Sequence, residues 1–224
     1  MGLKSFMMRA YLFDLDETLI DREATVERYL QVQYARFNFH GLPYAKYRER
    51  FWELDARGYA DRVAVFQALI DDFSLPVSTE ALVTDFRQSA WAECQPYADV
   101  DRVLRSLRAQ GYPLGIISNG SSQSQRAKLK GAGLEPLVDV ILISEEEGIK
   151  KPDPAIFLRA STRLAVRPEE CVFVGDNPQA DIVGALSAGM QAVWRRNGAA
   201  WPSDLPVTAH YTIDQLEELL ALTF

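Results

Sequence analysis

The spacing of apolar positions changes character twice along the chain. Residues Arg9–Asp14 (RAYLFD) form a short apolar run that ends in acid, which is the pattern of a buried strand. From about Asp21 to Cys94 the texture turns helical, with aromatic and aliphatic residues set among many Arg, Glu and Gln. Helices are predicted over Arg22–Phe39, Pro43–Ala56, Asp61–Phe73 and Thr79–Glu93, separated by Gly41, Gly58 and Ser74-Leu75-Pro76. Beyond Pro96 helices and strands alternate. The helices are Asp101–Gln110, Ser122–Ala132, Pro154–Leu164 and Gln179–Ala188; the strands are Pro113–Ser118, Val138–Ser144, Cys171–Gly175 and Gln191–Trp194. A short strand near His210–Thr212 and a helix over Asp214–Leu222 complete the pattern.

Strands that are apolar throughout, with amphipathic helices between them, imply a parallel sheet covered on both faces. The expected fold is α/β, a doubly wound parallel (Rossmann-like) sheet with an inserted all-α domain. Residues 1–20 and 96–224 would form the sheet domain and residues 21–95 the helical insert. Neither a fixed-period repeat nor a low-complexity tract interrupts this plan. Ligands of such sheets bind at the carboxyl ends of the strands, so the strand-end residues are the ones to read for chemistry.

Composition narrows the picture. With 48% apolar and 25% charged residues in 224, the chain has the balance of a globular protein large enough for a core domain plus an insert. A net charge of -7 argues against a nucleic-acid polymer as partner, while a metal or a cluster of donors can still reverse the field inside one pocket. Cys94 and Cys171 have no CxxC spacing and read as free, buried thiols of a reducing compartment. The opening Met-Gly-Leu-Lys-Ser-Phe-Met-Met-Arg has no apolar run long enough for a signal peptide or membrane span, and Phe6 stands where a myristoylation signal wants Ser or Thr. The expectation is a soluble, cytoplasmic protein with no membrane partner; nothing in the sequence speaks to its oligomeric state.

Four strand ends carry polar chemistry. The first ends Asp14-Leu15-Asp16-Glu17-Thr18, two carboxylates whose repulsion calls for a cation or a shared proton. The same spacing recurs at Asp99-Val100-Asp101, but there a helix begins and its dipole accounts for the acids. The second strand end, Ser118-Asn119-Gly120, offers a hydroxyl, an amide and unhindered backbone just before a helix, a natural phosphate cradle or a helix cap. Lys151 follows on a loop stiffened by Pro152 and Pro154, so its ammonium can be aimed. Asp176 closes the strand at Cys171–Gly175, and Asp181 falls at the start of the next helix; each could equally cap that helix or complement its dipole.

In this order, Asp14-Leu15-Asp16-Glu17-Thr18, Ser118-Asn119-Gly120, Lys151-Pro152 and Gly175-Asp176 through Asp181 resemble the motifs of the haloacid dehalogenase-like (HAD) superfamily of hydrolases. The insert resembles that superfamily's helical cap. The resemblance implies that Asp14 is a nucleophile forming an aspartyl-phosphate, and that Asp16 protonates the leaving oxygen and then activates water. It implies Mg²⁺ held by the Asp14 and Asp176 carboxylates and the Asp16 backbone carbonyl. Ser118, Asn119, Thr18 and Lys151 would hold the phosphoryl oxygens, and Asp181 would orient Lys151 or a metal-bound water. The expected activity is therefore hydrolysis of a small-molecule phosphate ester of nucleotide, sugar phosphate or phosphoglycolate type. By the same resemblance, dehalogenases lack the second acid of the first motif, so Asp16 favours phosphate chemistry over 2-haloacid dehalogenation. A sugar-phosphate mutase shares the acid pair and helical cap. From another class, a phospho-accepting signalling domain also places aspartates, a hydroxyl and a lysine at sheet ends, but it has no use for a second acid beside the nucleophile.

The insert is the least patterned region. Tyr29, Tyr34, Phe37, Phe39, Tyr44, Tyr47, Phe51, Trp52, Tyr59 and Phe66 either stack a ligand ring or form the core of the bundle, and helical spacing favours the core. Arg22, Arg36, Arg48 and Arg50 would meet a second anionic group or lie on solvated faces. His40 and His210 lie away from every motif and read as structural or surface residues.

Overall fold

A computed structural model describes residues 9–58, 60–92 and 94–224; Tyr59 and the expected helix end at Glu93 lie outside them. The chain divides into two compact units, one made of the segment ending at Asp21 with Gln95–Phe224, the other of Arg22–Cys94. Each boundary lies one residue from that read in the sequence. Asp21 and Gln95 belong to the sheet unit because the Asp21 amide donates to the Gln95 carbonyl at 2.8 Å, beside a bridge between Ile20 and Pro96.

The sheet unit contains six parallel strands, β1 (Ala10–Phe13), β2 (Leu114–Ser118), β3 (Val140–Ile143), β4 (Cys171–Gly175), β5 (Gln191–Arg195) and β6 (Tyr211–Ile213), in spatial order β3-β2-β1-β4-β5-β6. The chain winds outward from β1 to β3, then crosses back to β4 beside β1 and winds outward again. That reversal makes the β1–β4 boundary the topological switch point, where doubly wound sheets bind ligands. Every residue of β1, β2 and β4 is buried. One face packs Leu12, Ile117, Leu142 and Phe173 against Ile156, Phe157, Ile182 and Ala185 of flanking helical segments. His210 is a structural residue, as expected: its amide donates to the Ala192 carbonyl and its Nδ1 accepts from the Ala192 amide, stitching β5 to the start of β6. Both cysteines are buried, and among the described residues neither forms a disulfide.

The helical unit contains α1 (Arg22–Arg36), α2 (Tyr44–Asp55), α3 (Arg62–Phe73) and α4 (Thr79–Ser89). Asp61 and Ser78 cap α3 and α4 by accepting from first-turn amides. Tyr29, Phe39, Tyr47, Phe51 and Phe66 are buried, and Phe86 sits edge-on to Tyr29, Phe66 and Trp91. The arginines are engaged within the unit: Arg22 with Asp55, Arg36 with Asp85, Arg48 with Glu27, and Arg50 with Glu53 and Asp72. Among the described residues no helix is long and apolar enough to cross a membrane.

In the sheet unit the remaining helices are α5 (Val100–Ala109), α6 (Ser122–Gly131), α7 (Ser144–Glu147), α8 (Pro154–Arg163) and α9 (Gly184–Ser187). Three segments depart from expectation. In the tail, the helix expected over Asp214–Leu222 is a 3₁₀ helix at Leu216–Ala221. The strand expected over Val138–Ser144 stops at Ile143, and Ser144 opens the short helix α7, whose Glu145 and Glu146 accept from the amide and hydroxyl of Ser122 at the start of α6. The helix expected over Gln179–Ala188 begins as a π-turn at Pro178–Val183 before α9. Its width follows from Asn177, whose carbonyl accepts from both the Asp181 and Ile182 amides, at 2.9 and 3.4 Å.

Candidate active site

At the switch point, Asp14 leaves β1 with its amide donating to the Val174 carbonyl at 2.9 Å, which sets it level with the end of β4. Its carboxylate is 7% exposed and accepts from the Lys151 ammonium at 2.5 Å. The same ammonium lies 2.7 Å from Asp181 and 5.5 Å from the centre of the Phe173 ring. Lys151 is therefore a buried cation held between two carboxylates over an aromatic face. Burial opposes its charge, yet Asp14 and Asp181 hold its pKa above the ordinary lysine range.

Asn119 supplies the aim. Its side-chain amide donates to the Lys151 carbonyl at 3.0 Å, and its Oδ1 accepts from the Lys151 amide at 2.9 Å. Both ends of the side chain thus grip the backbone of the loop that carries the lysine. Asp181 is fixed just as closely, with one oxygen on Lys151 and the other accepting from the Asn177 amide at 2.9 Å. Gly175 makes room for it, since a Cβ there would stand 2.5 Å from the Asp181 side chain.

Oxygens of Asp14, Asp176 and Asp181 lie within 4.8 Å of one another, a set able to hold a metal ion. Three carboxylates there face one ammonium, and the imbalance shows in their acidity. Burial pushes the Asp14 carboxyl up to about 7, with Lys151 pulling against it and Asp181 adding to it. Burial also raises Asp176, with Asp14 and Asp181 reinforcing it, to about 9. An all-oxygen, anion-rich cluster suits a hard divalent cation.

The second acid of the first motif is held by residues that sequence reading missed. Lys128 contacts both Asp16 oxygens, at 2.8 and 2.7 Å, and Gln125 donates to one of them at 3.0 Å. Gln125 also donates to the Ser118 hydroxyl at 2.5 Å. Both side chains lie on one buried face of α6, and three-residue spacing on a helix that follows a strand-end motif was the available signal.

Thr18 stands apart from this network. Its hydroxyl is fully enclosed and has no hydrogen-bond partner among the described residues, while its carbonyl accepts from the buried Arg195. Arg195, stacked 3.8 Å over the Tyr97 ring, joins Asn197 and Tyr97 in fixing the turn after Asp16: Asn197 donates to the Glu17 carbonyl and Tyr97 to the Glu17 carboxylate. That turn includes Glu17 at φ +60°, a left-handed conformation uncommon for a residue with a side chain. The control pair is structural, with Asp99 accepting from the Glu217 amide and Asp101 from Arg105.

With a buried strand-end carboxylate beside an aimed lysine at the switch point of a doubly wound sheet, residues 8–189 match the family of haloacid dehalogenase-like hydrolases, to which this chain belongs. Within that family it falls among the phosphatases. It is 32% identical to the glyceraldehyde 3-phosphate phosphatase of Methanopyrus kandleri, over 96% of each chain. It is 41% identical to the phosphoserine phosphatase of Thermus thermophilus over 123 residues, 55% of this chain and 49% of that one. A HAD-hydrolase from Bacillus subtilis, solved bound to magnesium, superposes with a TM-score of 0.74 at 26% identity, covering 96% of this chain and 98% of the other.

Proposed function

We propose that this protein hydrolyses small phosphate monoesters in two steps through an aspartyl-phosphate on Asp14. The observation that carries the reading is the Asp14 carboxylate itself, buried at the switch point and 2.5 Å from an ammonium that Asn119 and Asp181 hold in place. In the first step an Asp14 oxygen bonds to phosphorus as the ester P–O bond breaks, and Asp16 gives its proton to the departing alcohol oxygen. In the second, Asp16 takes a proton from water as that water's oxygen bonds to phosphorus, freeing Asp14 and inorganic phosphate. Lys151 and Ser118 receive the phosphoryl oxygens, with Asn119 acting through its hold on the Lys151 backbone and Thr18 through the turn it belongs to.

Asp14, Asp176 and the Asp16 carbonyl would hold Mg²⁺, which when bound neutralises the repulsion between an anionic nucleophile and an anionic substrate. The helical unit, residues 22–94, is assigned the role of a cap that selects substrate and excludes water. The names of the relatives, phosphatases of glyceraldehyde 3-phosphate, phosphoserine and N-acylneuraminate 9-phosphate, favour a sugar or small-acid phosphate over a nucleotide. Two cysteines with no disulfide among the described residues fit a reducing cytoplasm.

The test is phosphate release from an aryl phosphate at neutral pH, with Mg²⁺ or a chelator, by the wild type and Asp14→Asn. Turnover that needs metal and vanishes in the variant is the expected result. Equal turnover by the variant would overturn the nucleophile assignment, and turnover unaffected by chelator would overturn the metal.

A further inference from the structure

The amide of Gln125 touches both halves of the proposed chemistry, the acid and the phosphate grip. It is 1% exposed, and its nitrogen lies 3.0 Å from an Asp16 oxygen, 2.5 Å from the Ser118 hydroxyl and 3.3 Å from the Asn119 carbonyl. Chemistry fixes which way the amide faces, because the Asn119 carbonyl can only accept, so the NH₂ end must meet it. An NH₂ group carries two hydrogens. One serves Asp16, and the other lies between Ser118 and the Asn119 carbonyl.

Two consequences follow. Since Ser118 accepts from Gln125, its own hydroxyl hydrogen is left to point elsewhere. A phosphoryl oxygen needs such a donor, and a serine without this partner would be free to rotate its hydrogen towards any nearby acceptor. Secondly, Asp16 receives a rigid, short-range hydrogen bond beside the Lys128 ammonium, which arrives on a flexible four-carbon stem. The lysine supplies charge; the amide supplies heading. Gly120 leaves space for this arrangement, since its φ is +148° and a Cβ there would lie 3.0 Å from the Gln125 amide carbon.

We propose that Gln125 is a positioning residue that orients Asp16 toward the leaving oxygen while directing the Ser118 hydroxyl toward the phosphoryl group. The proposal rests on the reading of Asp16 as the proton donor and adds the residue through which α6 controls it. Its signature is dependence on the leaving group. An alkyl phosphate such as O-phosphoserine must have its alkoxide protonated, whereas 4-nitrophenolate departs without help. The ratio of kcat/KM for the alkyl ester to that for the aryl ester reports the step in which the leaving group departs. Changes in phosphate grip or in the later hydrolytic step cancel from it.

The experiment measures this ratio for the wild type, Gln125→Met (similar in length, without a donor) and Gln125→Asn (an amide one methylene short), with circular dichroism to check folding. The ratio is expected to fall about tenfold or more in both variants, as for partial loss of general-acid catalysis. A parallel loss on both esters, or no loss, would overturn the proposal. Failure of both variants to fold would overturn it too, by assigning Gln125 to the core. Asp14→Asn is run alongside. Activity surviving in it overturns the nucleophile reading, whereas an unchanged ratio with Asp14→Asn inactive overturns the Gln125 assignment alone. A wild type inactive on both esters overturns both.

Discussion

The side chains that act and those that hold them in place are separable residue by residue. Asn119 binds both backbone polar groups of Lys151, so Asn119→Ala removes two part-buried hydrogen bonds and leaves their partners unmatched. It is expected to cost about 1–3 kcal/mol in urea unfolding and to lower kcat more than it raises KM, because the ammonium loses its aim. Retention of full kcat would show that Lys151 needs no such support. Gly175→Ala is a sharper case. Its methyl group would sit 2.5 Å from Asp181, so either the carboxylate moves or the strand does. A destabilisation of about 1–3 kcal/mol is expected, together with reduced turnover, read from melting curves and phosphate release. The strand-end motifs made Asp14, Ser118, Lys151 and Asp176 legible in the sequence, since an apolar run that stops at a polar residue is a local signal. Gln125 and Lys128 were not legible. Their partner Asp16 is more than a hundred positions away, and on a helix they look like any polar pair.

Among the elements, the helical unit holds a buried ionic cluster that its amphipathic pattern could not disclose. Asp55 is fully buried, with Arg22 at 2.8 Å and Arg62 at 2.6 Å, and the two arginines hold its carboxyl below the usual carboxylate range despite burial. Asp55→Ala would leave two largely buried guanidiniums without their shared counter-charge, and is expected to destabilise the protein by about 3–5 kcal/mol in thermal or urea unfolding. A loss below about 1 kcal/mol would mean that water readily replaces the carboxylate. Helices and strands were readable from period alone, and their ends moved by only a few residues. What period could not give was the π-turn at Pro178–Val183, created by the Asn177 carbonyl taking two amides, or the helical state of Ser144–Glu147. At Ser144–Glu147 side chains serving the neighbouring segment, and at Pro178–Val183 a carbonyl shared by two amides, decide the backbone rather than apolar spacing.

For the whole molecule, the excess of carboxylates at the switch point makes stability depend on pH and metal together. Burial raises Asp14 to about 7 and Asp176 to about 9, from an ordinary value of 3.8 in the unfolded chain. Between those limits the folded protein keeps protons that the unfolded chain has released, so metal-free stability falls as pH rises through that window. On the proposed reading, a divalent cation held by these carboxylates would substitute for those protons and bind the folded state in preference to the unfolded one. Mg²⁺ is therefore expected to raise the melting temperature more at pH 8 than at pH 5, and an equal or larger shift at pH 5 would contradict the charge account. The doubly wound order that creates this cluster was implied by the alternation of apolar strands and helices, whereas the crowding of Asp14, Asp176 and Asp181 within 4.8 Å is a property of the fold alone. The central claim is that the phosphoryl group passes through Asp14, and its most direct test is to trap it. Acid quenching during turnover of a phosphorus-labelled ester, followed by proteolysis and mass spectrometry, should find phosphate on the peptide containing Asp14, and none in Asp14→Asn. Undiminished turnover with no covalent phosphate, or with label on another residue, would contradict the account.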